Sequence, residues 1–321
     1  MPLSEFQIIE RFFTRASGGH DSVVLGVGDD AAVLRGSAEH DLAVAVDTLV
    51  CGVHFPAELS AADIGYRALA VNLSDLAAMG ATPVAATLAL TLAEVDERWL
   101  QDFAEGFFVL ADRYGVALIG GDTTRGPLTI TVQVLGHLPP GKRLSRSGAR
   151  PGDGVYLSGS TGDAAAWLRL YANPTPGKDD SEYLKMCFAR PEPRVMLGRA
   201  LLPLASAAID VSDGLLGDLE KLARASGVGA VIELDRVPLS RALLTSFADD
   251  ALELALTGGD DYELCFTMAS EYERQLKATG QTPDCDVRRI GEIVAGQGVV
   301  CMDAGGEVQI ESRSFDHFGV R

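Results

Sequence analysis

Residues 26–34, read as GVGDDAAVL, decide how the first half of this chain is interpreted. An apolar run leads into Gly-Val-Gly and is followed by the adjacent carboxylates of Asp29 and Asp30. Two neighbouring acids beside an apolar strand oppose folding, because both resist desolvation and each repels the other. A chain that keeps them there is expected to bring a counter-charge to this position.

The same pattern of an acid beside an apolar run recurs along the chain. LAVAV precedes Asp47, ALIGG precedes Asp122, and IDVSDG and TGGDD carry further acids. Because strand ends meet at one edge of an α/β sheet and ligands bind there, we predict that these carboxylates share divalent metals that hold a polyphosphate. Oxygen ligands without His or Cys pairs favour Mg²⁺, Mn²⁺ or Ca²⁺ over zinc, while a structural ion-pair network is the alternative. The predicted ligands are Asp30, Asp47, Asp75, Asp122, Asp210 and Asp213.

Length and charge narrow the class of protein. The 321 residues suggest two domains, and 47% hydrophobic against 22% charged residues describes a globular chain. The formal net charge of −18 argues against a nucleic-acid partner or an anionic membrane surface, since both require a basic footprint. An anionic substrate fits only where metals or a few basic side chains reverse the local field.

The cysteines and the termini indicate a cytoplasmic protein. The five cysteines are scattered and form no CxxC pair, which is typical of reduced thiols. The first residues, MPLSEFQIIERFF, are acidic and do not resemble a signal peptide. The Ala/Leu-rich run at 77–93 is short and contains Pro83, so no membrane span is expected there.

The periodicity predicts an α/β (α+β) chain with two domains. Helices are expected over 4–16, 61–79 and 97–114, and strands over 42–46, 84–92, 116–119 and 128–138. The loop GGDTTRGP is expected between the last two strands. Residues 1–140 are assigned to an N-terminal domain that binds metal and ATP and dimerises, 141–152 to a basic linker, and 153–321 to a C-terminal α/β domain.

Two familiar nucleotide motifs are present only in outline. GVGDDA matches a dinucleotide fingerprint, but two carboxylates occupy the place of the anion and strand-like residues follow. Each like-charge contact at about 4 Å costs roughly 4 kcal/mol at an effective dielectric near 20. GHLPPGK has P-loop spacing, but Arg143 replaces the magnesium-binding hydroxyl and Pro139-Pro140 removes N–H donors. Neither common nucleotide-binding loop is therefore predicted.

Other side chains are candidates for a phosphoryl-transfer site, each with a structural alternative. Arg146 could neutralise a polyphosphate or simply belong to a solvated linker. Ser212 could bind phosphate or cap the following helix. His54, Glu263 and Phe318 could face a substrate, whereas a lone His near apolar residues is more often structural and Phe318 could anchor the tail. No arrangement for covalent catalysis stands out.

Taken together, these stretches resemble the thiamine-monophosphate kinase family, which belongs to the superfamily of aminoimidazole ribonucleotide synthetase and selenophosphate synthetase. NLSDLAAMGA is shared with the wider superfamily, whereas the VHF after Asp-Thr, GGDDYEL and FDHF look like the kinase branch. The resemblance covers nearly the whole chain through eight ordered motifs: GVGDDAAV, VDTLVCGVHF, AVNLSDLAAMGATP, GGDTTRG, SRSGARPGD, DVSDGLLGDL, GGDDYEL and FDHF.

The resemblance implies ATP-dependent phosphorylation of thiamine monophosphate to thiamine diphosphate by direct in-line transfer, with several Mg²⁺ ions and with a role for K⁺ or another monovalent cation left open. It implies a homodimer built through N-terminal sheets that form a barrel. Asp30, Asp47, Asp75, Asp122 and Asp210 would hold Mg²⁺, with Asp213 taking a further ion. Gly121, Asp122, Arg146 and Ser212 would contact ATP, and His54, Glu263 and Phe318 would lie on the thiamine side.

One departure and two rival functions accompany this interpretation. Relatives often carry hydroxyl residues before the Asp of the VDT motif, whereas Ala45 and Val46 stand here. If those positions act through backbone carbonyls, no metal ligand is lost; otherwise a water must complete that metal site.

The first rival function is that of another ATP-dependent synthetase or ligase of the superfamily, and the second is that of a non-enzymatic protein that binds divalent cations. Of the opening acid pair, Asp30 is the predicted ligand, and Asp29 balances or orients it.

Overall fold

The computed structural model describes residues 5–14, 23–25, 33–34, 36–173, 181–278 and 285–310. Asp29, Asp30 and Phe318 lie outside the described residues, so the predictions for them stay predictions. The chain divides into two compact units, the first comprising Met1–Leu76 and Ala81–Lys142 and the second comprising Ala77–Gly80 and Arg143–Arg321. The predicted α/β fold class is confirmed, because each unit combines a sheet with helices.

The first unit is built around a mixed four-stranded sheet in the order β3-β6-β4-β5. Strands β4 and β5 are parallel, and the other neighbours are antiparallel. In chain order the elements are α1 (Glu5–Ile8) with a π-helical turn (Ile9–Phe13), the hairpin strands β1 (Val23–Leu25) and β2 (Val33–Leu34), β3 (Asp41–Val50), α2 (Ala61–Met79), β4 (Thr82–Leu92), α3 (Glu97–Tyr114), β5 (Ala117–Arg125) and β6 (Thr129–Leu138).

Helices α2 and α3 pack so closely that their contact requires glycine. A Cβ added to Gly106 would lie 1.8 Å from the carbonyl oxygen of Ala62, and one added to Gly65 would lie 2.1 Å from that of Phe103. Helix α3 begins at the Asp96 cap, whose carboxylate accepts hydrogen bonds from two backbone N–H groups. Almost all of α2 is buried, which makes it the central helix of this unit.

Two of the strands extend further than the sequence predicts. Strand β3 continues through Asp47 to Val50 because every residue from Asp41 onward pairs with β6. Strand β5 continues through the expected GGDTTRGP loop to Arg125 because it pairs in parallel with β4. The expectation that Asp47 and Asp122 follow their strands is therefore wrong, since both lie within them. Cross-strand pairing, which local sequence does not reveal, extends these elements.

The second unit contains a seven-stranded sheet in the order β13-β12-β9-β11-β7-β10-β8. Its pairings are antiparallel except for β12 with β9. The elements are β7 (Gly154–Ser158), α4 (Asp163–Ala172), α5 (Ser181–Ala189), α6 (Val195–Leu201), β8 (Ala207–Val211), α7 (Leu215–Ser226), β9 (Gly229–Glu233), α8 (Arg241–Phe247), α9 (Ala251–Thr257), β10 (Glu263–Met268), α10 (Glu273–Ala278), β11 (Val287–Val294), β12 (Gly298–Asp303) and β13 (Gly306–Val308).

Strands β7, β8 and β10 form the interior of the second unit. Every residue of the three strands is buried. Because successive side chains of a strand point to opposite faces, both faces of this part of the sheet are covered. An acid at either end of such a strand is consequently desolvated unless it reaches the sheet edge, and this applies to Asp210 in β8 and to Glu263 in β10.

Within the described residues, none of the helices is long and apolar enough to span a membrane. The five cysteines all lie in this part of the chain and are all free thiols.

We predict that Gly106→Ala destabilises the chain, because the added Cβ would meet backbone rather than a side chain that can move. Overpacking of this kind costs about 1–3 kcal/mol or more in the free energy of unfolding, measurable by urea denaturation. Gly36→Ala is the control, since its Cβ would meet nothing within 4 Å. Equal stability of the two variants would contradict this account of the α2–α3 contact.

Candidate active site

In the first unit, Asp47 is joined to the helix face that carries Asp75. The backbone N–H of Asp47 donates to Oδ1 of Asn72 at 2.9 Å. The amide nitrogen of Asn72 donates in turn to the Ala68 carbonyl at 2.9 Å, which fixes its orientation within α2. Asp75 lies three residues further along, on the same side of the helix. Of the predicted metal ligands that the structure describes in this unit, Asp47 and Asp75 are therefore the two that the fold brings towards a common region.

Asp122 lies on the opposite edge strand of the same sheet. The register aligns Asp47 with Val132, Leu88 and then Gly121, three strand spacings or roughly 14 Å away. Asp122 is in register with Ala89 instead, so its side chain belongs to the other face of the sheet from that of Asp47. Among the described residues, none donates to the exposed Asp122 carboxylate, which leaves that group available to a cation.

Gly121, beside Asp122, holds its backbone directly against β4. A Cβ at Gly121 would lie 1.8 Å from the Leu88 carbonyl oxygen, and the residue has a φ of 155°. A side chain is excluded at this position. The edge of β5 there presents backbone rather than a side chain to an incoming ligand.

In the second unit, the segment after β8 is organised by an acidic side chain of helix α7. Asp218 accepts hydrogen bonds from the backbone N–H groups of Ser212 at 3.0 Å and Asp213 at 2.9 Å. Burial raises the pKa of Asp218, while its hydrogen bond from Lys221 opposes that shift. Helix α7 carries no side-chain cap at Gly214. The capping alternative for Ser212 is therefore wrong, and no described group bonds its hydroxyl.

Asp213 and Asp218 share one cation. Lys221 Nζ lies 2.5 Å from Asp213 Oδ2 and 2.8 Å from Asp218 Oδ1. Burial lowers the pKa of Lys221, but its two carboxylate partners outweigh burial and leave that pKa raised. A metal ion at Asp213 would thus have to compete with an ammonium group. Asp210, by contrast, is buried within β8 and paired in register with Leu264 of β10.

Two further predicted residues lie in exposed or turn segments. The guanidinium of Arg146 is exposed and forms no ion pair with the described residues, while its backbone carbonyl accepts from Ser226 Oγ at 3.0 Å. His54 Nδ1 accepts the Val50 N–H at 2.9 Å. That bond closes the turn after β3 and leaves Nε2 as the nitrogen that carries the proton. His54 therefore has a structural contact, and its substrate role stays a prediction.

A cavity of about 790 Å³ lies within the second unit and includes Glu263 in its wall. The Arg194 guanidinium holds the Glu263 carboxylate in a fork, with Nε 2.7 Å from Oε2 and Nη2 2.5 Å from Oε1. Ser158 Oγ also donates to Oε2. Both members of the ion pair are largely buried, with 14% of the Arg194 and 8% of the Glu263 side chain exposed. Glu263 is thus a fixed, ionised acceptor at the cavity wall.

Asp261 lies beside Glu263 in the same cavity wall but in a different electrostatic state. Its Oδ1 accepts the Gly162 N–H at 2.8 Å, whereas its buried Oδ2 has no hydrogen-bond partner among the described residues. Burial raises the pKa of Asp261 well above its ordinary value, and the nearby carboxylates of Asp163 and Glu263 raise it further. The burial of Asp261 and its acidic neighbours thus favour its neutral form over its charged form.

The backbone that presents Asp261 is strained on both sides. Asp260 has a φ of 63° and Tyr262 a φ of 54°, both in the left-handed region that a bulky residue rarely adopts. Such residues cost on the order of 1–3 kcal/mol each and persist where the surrounding structure imposes them. Here the Asp260 N–H bonds to the Ser212 carbonyl and the Tyr262 N–H to the Val211 carbonyl, both at 2.8 Å. The end of β8 therefore holds this loop in place.

Sequence reasoning missed Arg194 and Asp261 as parts of the site. Arg194 lies in RPEPR, a segment without a recognised pattern, and its partner is 69 residues away. Asp261 stands in GGDDYEL, the motif in which Glu263 is the predicted substrate residue. The adjacent acids of that motif were a usable signal, because two neighbouring carboxyls in an apolar strand require either a partner or a proton.

The described residues fit Mg²⁺ in donor chemistry but contain no group of three or more acidic, His or Cys side chains arranged to hold a metal ion. Mg²⁺ needs no such group, since it usually binds one or two carboxylates together with substrate phosphates and waters. The Asp47–Asp75 region and the unpaired Asp122 each meet that requirement.

Comparison with known proteins gives consistent matches over the whole chain. The AIR synthase related protein N-terminal domain matches residues 28–138, and the C-terminal domain matches 150–303. A curated relative named thiamine-monophosphate kinase, from Escherichia coli strain K12, is 45% identical over 99% of both chains.

Solved structures agree with the curated relative. The crystal structure of thiamine-monophosphate kinase from Stenotrophomonas maltophilia K279a aligns with a TM-score of 0.84 and 47% identity, covering 96% of this chain and 99% of that one. A structure described as AaThiL complexed with AMPPCP and TMP aligns with a TM-score of 0.79 and 28% identity, covering 97% of this chain and 94% of that one.

We predict that Arg194→Met strongly destabilises the chain, because it leaves the Glu263 carboxylate buried without its partner. Breaking such a buried pair costs about 3–5 kcal/mol. Arg236→Met is the control, since its ion pair with Glu233 at 2.7 Å is exposed and should be worth no more than about 1 kcal/mol. Urea denaturation of both variants tests this, and a loss at Arg194 no greater than that at Arg236 would refute it.

Proposed function

Because this chain belongs to the AIR synthase related family and, within it, to the thiamine-monophosphate kinases, we propose that it transfers the γ-phosphoryl group of ATP to thiamine monophosphate. The products are thiamine diphosphate and ADP. The observation that carries this proposal is the sequence identity of 45%, over 99% of both chains, with a curated relative named thiamine-monophosphate kinase. The relation to a structure that holds AMPPCP, an ATP analogue, together with TMP supports the same pair of substrates.

The reaction joins two anionic phosphates. A terminal phosphate oxygen of thiamine monophosphate attacks the γ-phosphorus of ATP in line. A new O–P bond forms while the bond from the γ-phosphorus to the β,γ-bridging oxygen breaks, and ADP leaves with that electron pair. The nucleophile is already anionic at neutral pH, so no general base is needed. The chain must instead position two polyanions and offset their mutual repulsion.

The residues assigned to ATP are Gly121, Asp122, Arg146 and Ser212. Three observations support them: bare backbone at Gly121, a carboxylate at Asp122 to which none of the described residues donates, and an exposed guanidinium at Arg146 without an ion pair in the same part of the chain. The unbonded hydroxyl of Ser212 is compatible with a phosphate contact. These side chains would orient the triphosphate and spread its charge.

The metal assignment remains with Asp30, Asp47, Asp75, Asp122, Asp210 and Asp213. When bound, Mg²⁺ neutralises phosphate charge and aligns the reacting groups. The Asn72 contact that steadies the Asp47 backbone supports Asp47 as a ligand, whereas the Lys221 ion pair makes Asp213 the weakest member. A monovalent cation such as K⁺ is left to experiment.

The substrate assignment remains with His54, Glu263 and Phe318. The cavity beside Glu263 supports this, since about 790 Å³ is ample for a thiamine moiety and lies within the usual range of ligand pockets. Thiamine carries a permanent positive charge on its thiazolium ring. The cavity wall carries more acidic than basic side chains, which suits that cation: Asp163, Glu192, Asp261, Glu263 and Asp286 against Arg190, Arg194 and Arg241.

The proposed active species is a cytoplasmic homodimer formed through the sheet of the first unit. Strand β3 exposes an apolar strip on its outer face, where Leu42 and Val44 are each 54% and Val46 is 55% exposed. Their neighbours Ala43 and Ala45 alternate with them towards the covered face. An apolar row along an edge strand favours association with a second copy.

For the metal assignment, Asp47→Asn and Asp122→Asn should each lower kcat for thiamine diphosphate formation by about 100-fold or more, with Mg²⁺ and ATP saturating. Both variants should keep the thermal stability of the parent chain. Asp41→Asn, on the same strand as Asp47, is the control, because its amide oxygen can still accept the Gly141 N–H. Near-normal turnover in either variant would remove that residue from the metal site, and no turnover by the parent chain would overturn the function itself.

For the dimer, Val44→Lys should convert the chain to a monomer, because burying a lysine in an apolar interface leaves its charge desolvated and unpaired. Sedimentation velocity measures this directly. Val109→Lys in α3 replaces a valine of similar exposure, 47%, away from the sheet and should leave the mass unchanged. A parent chain that sediments as a monomer, or a dimer that survives Val44→Lys, would count against this interface.

A further inference from the structure

One face of helix α5 lies open in the cavity beside Glu263. Side chains at i, i+3, i+4 and i+7 share one side of a helix. Four residues of the cavity wall have this spacing, namely Tyr183, Met186, Cys187 and Arg190. Tyr183 is 50% and Met186 is 37% exposed. The first two turns of this face, which we call the α5 face, therefore present an aromatic ring and a thioether to a cavity instead of to a core.

The opposite side of α5 anchors the helix. Leu184 and Phe188 are fully buried, and the Phe188 ring is stacked 4.6 Å from the ring of Trp167 in α4. Packing against α4 is achieved through these residues. It does not require an apolar side chain at Tyr183 or Met186, so the character of the α5 face needs a different explanation.

The ring of Tyr183 is held in a defined orientation. Its hydroxyl lies within hydrogen-bonding reach of the Cys187 thiol, one helical turn further on, and of the Ser160 hydroxyl. These contacts hold the ring along the helix while half of the side chain stays accessible. A ring that is already oriented loses little conformational entropy when a ligand covers it.

The charged side chains of the cavity wall leave the Tyr183 end of the α5 face apolar. Five acidic and three basic residues of the described chain line the cavity. Of the three arginines, Arg194 is held by Glu263, and Arg241 is exposed at the start of α8. Arg190 lies seven residues after Tyr183, about 10 Å along the helix axis at 1.5 Å per residue.

A flat ring with polar groups at its edge fits this wall. Tyrosine and methionine bind aromatic rings through stacking and through sulfur–ring contacts. The Cys187 thiol interacts electrostatically with Glu263, so the α5 face and the predicted substrate residue are neighbours. Among the described residues of the wall, none belongs to the ATP assignment. Thiamine monophosphate, which contains two flat heterocycles, is therefore the substrate that this wall suits.

We propose that the α5 face binds one of the two rings of thiamine monophosphate, with Tyr183 stacked on the ring and Met186 packed against its edge. Tyr183 is then a specificity-determining residue of the substrate cavity, and Glu263 serves the polar edge of the same ligand. This inference rests on the proposed function, from which it takes the identity of the ligand.

Steady-state kinetics separate the ring of Tyr183 from its hydroxyl. Tyr183→Leu removes the ring, so the KM for thiamine monophosphate should rise about tenfold. Both kcat and the KM for ATP should stay unchanged, because a stacking contact binds the ground state and the transition state alike. Tyr183→Phe keeps the ring, so its KM for thiamine monophosphate should stay within about threefold of the parent value. Tyr272→Leu is the matched control, since Tyr272 is 36% exposed and is not in the cavity wall.

A fluorescence titration reports the stacking without turnover. Tyr183→Trp places an indole on the α5 face, and Tyr272→Trp places one outside the cavity. With Mg²⁺ and AMPPCP present, thiamine monophosphate should quench the emission of Tyr183→Trp saturably and should change that of Tyr272→Trp no more than that of the parent chain. This measurement remains decisive if Tyr183→Leu does not fold.

Equal quenching in the two tryptophan variants would overturn the proposal. An unchanged KM for thiamine monophosphate in Tyr183→Leu, or a rise in the KM for ATP instead, would do the same. A parent chain that forms no thiamine diphosphate would refute the proposed function, and the titration would then still decide whether thiamine monophosphate binds on the α5 face.

Discussion

The desolvation of carboxylates is the constraint on which this molecule depends. The chain places acids within or beside buried strands, where an isolated negative charge is not tolerated. The fold meets this constraint in different ways at different places. Glu263 receives the fork of Arg194, Asp213 and Asp218 share Lys221, and burial raises the pKa of Asp261. Asp122 remains exposed at a sheet edge, where a cation can reach it.

These arrangements divide the acids by function. An acid that already has an internal cation, such as Glu263, is a fixed acceptor and a poor metal ligand. An acid whose pKa is raised by burial, such as Asp261, is also a poor ligand for a cation. Acids without an internal cation are the ones suited to Mg²⁺, which binds one or two carboxylates and shares the rest of its shell with phosphates and water. The net charge of −18 is therefore compatible with anionic substrates, because their charge is offset locally.

Backbone geometry fixes the position of these acids at two places, the contact between α2 and α3 and the loop that carries Asp261. Close approach of α2 and α3 through Gly65 and Gly106 buries the central helix that carries Asn72 and Asp75. The left-handed residues around Asp261 are imposed by hydrogen bonds to the end of β8, which ties the cavity beside Glu263 to the sheet. In both cases a costly local conformation is maintained because neighbouring elements leave no alternative.

Some of this was readable from the sequence alone. The 3.6-residue period placed α2 and α3 at the bounds that the structure has, since those helices obtain their periodicity and end signals locally. The ordered motifs identified the family, because eight independent matches in the same order leave little room for coincidence. The predicted α/β class followed from alternating helical and strand patterns.

Other features were decided only by tertiary structure. Strands β3 and β5 extend past their predicted ends because they pair with β6 and β4, which lie far away in sequence. The Arg194–Glu263 ion pair joins residues 69 positions apart, and the raised pKa of Asp261 depends on burial and on neighbouring acids. Residue types and their local period are encoded along the chain, whereas desolvation and partner choice arise only when distant segments meet.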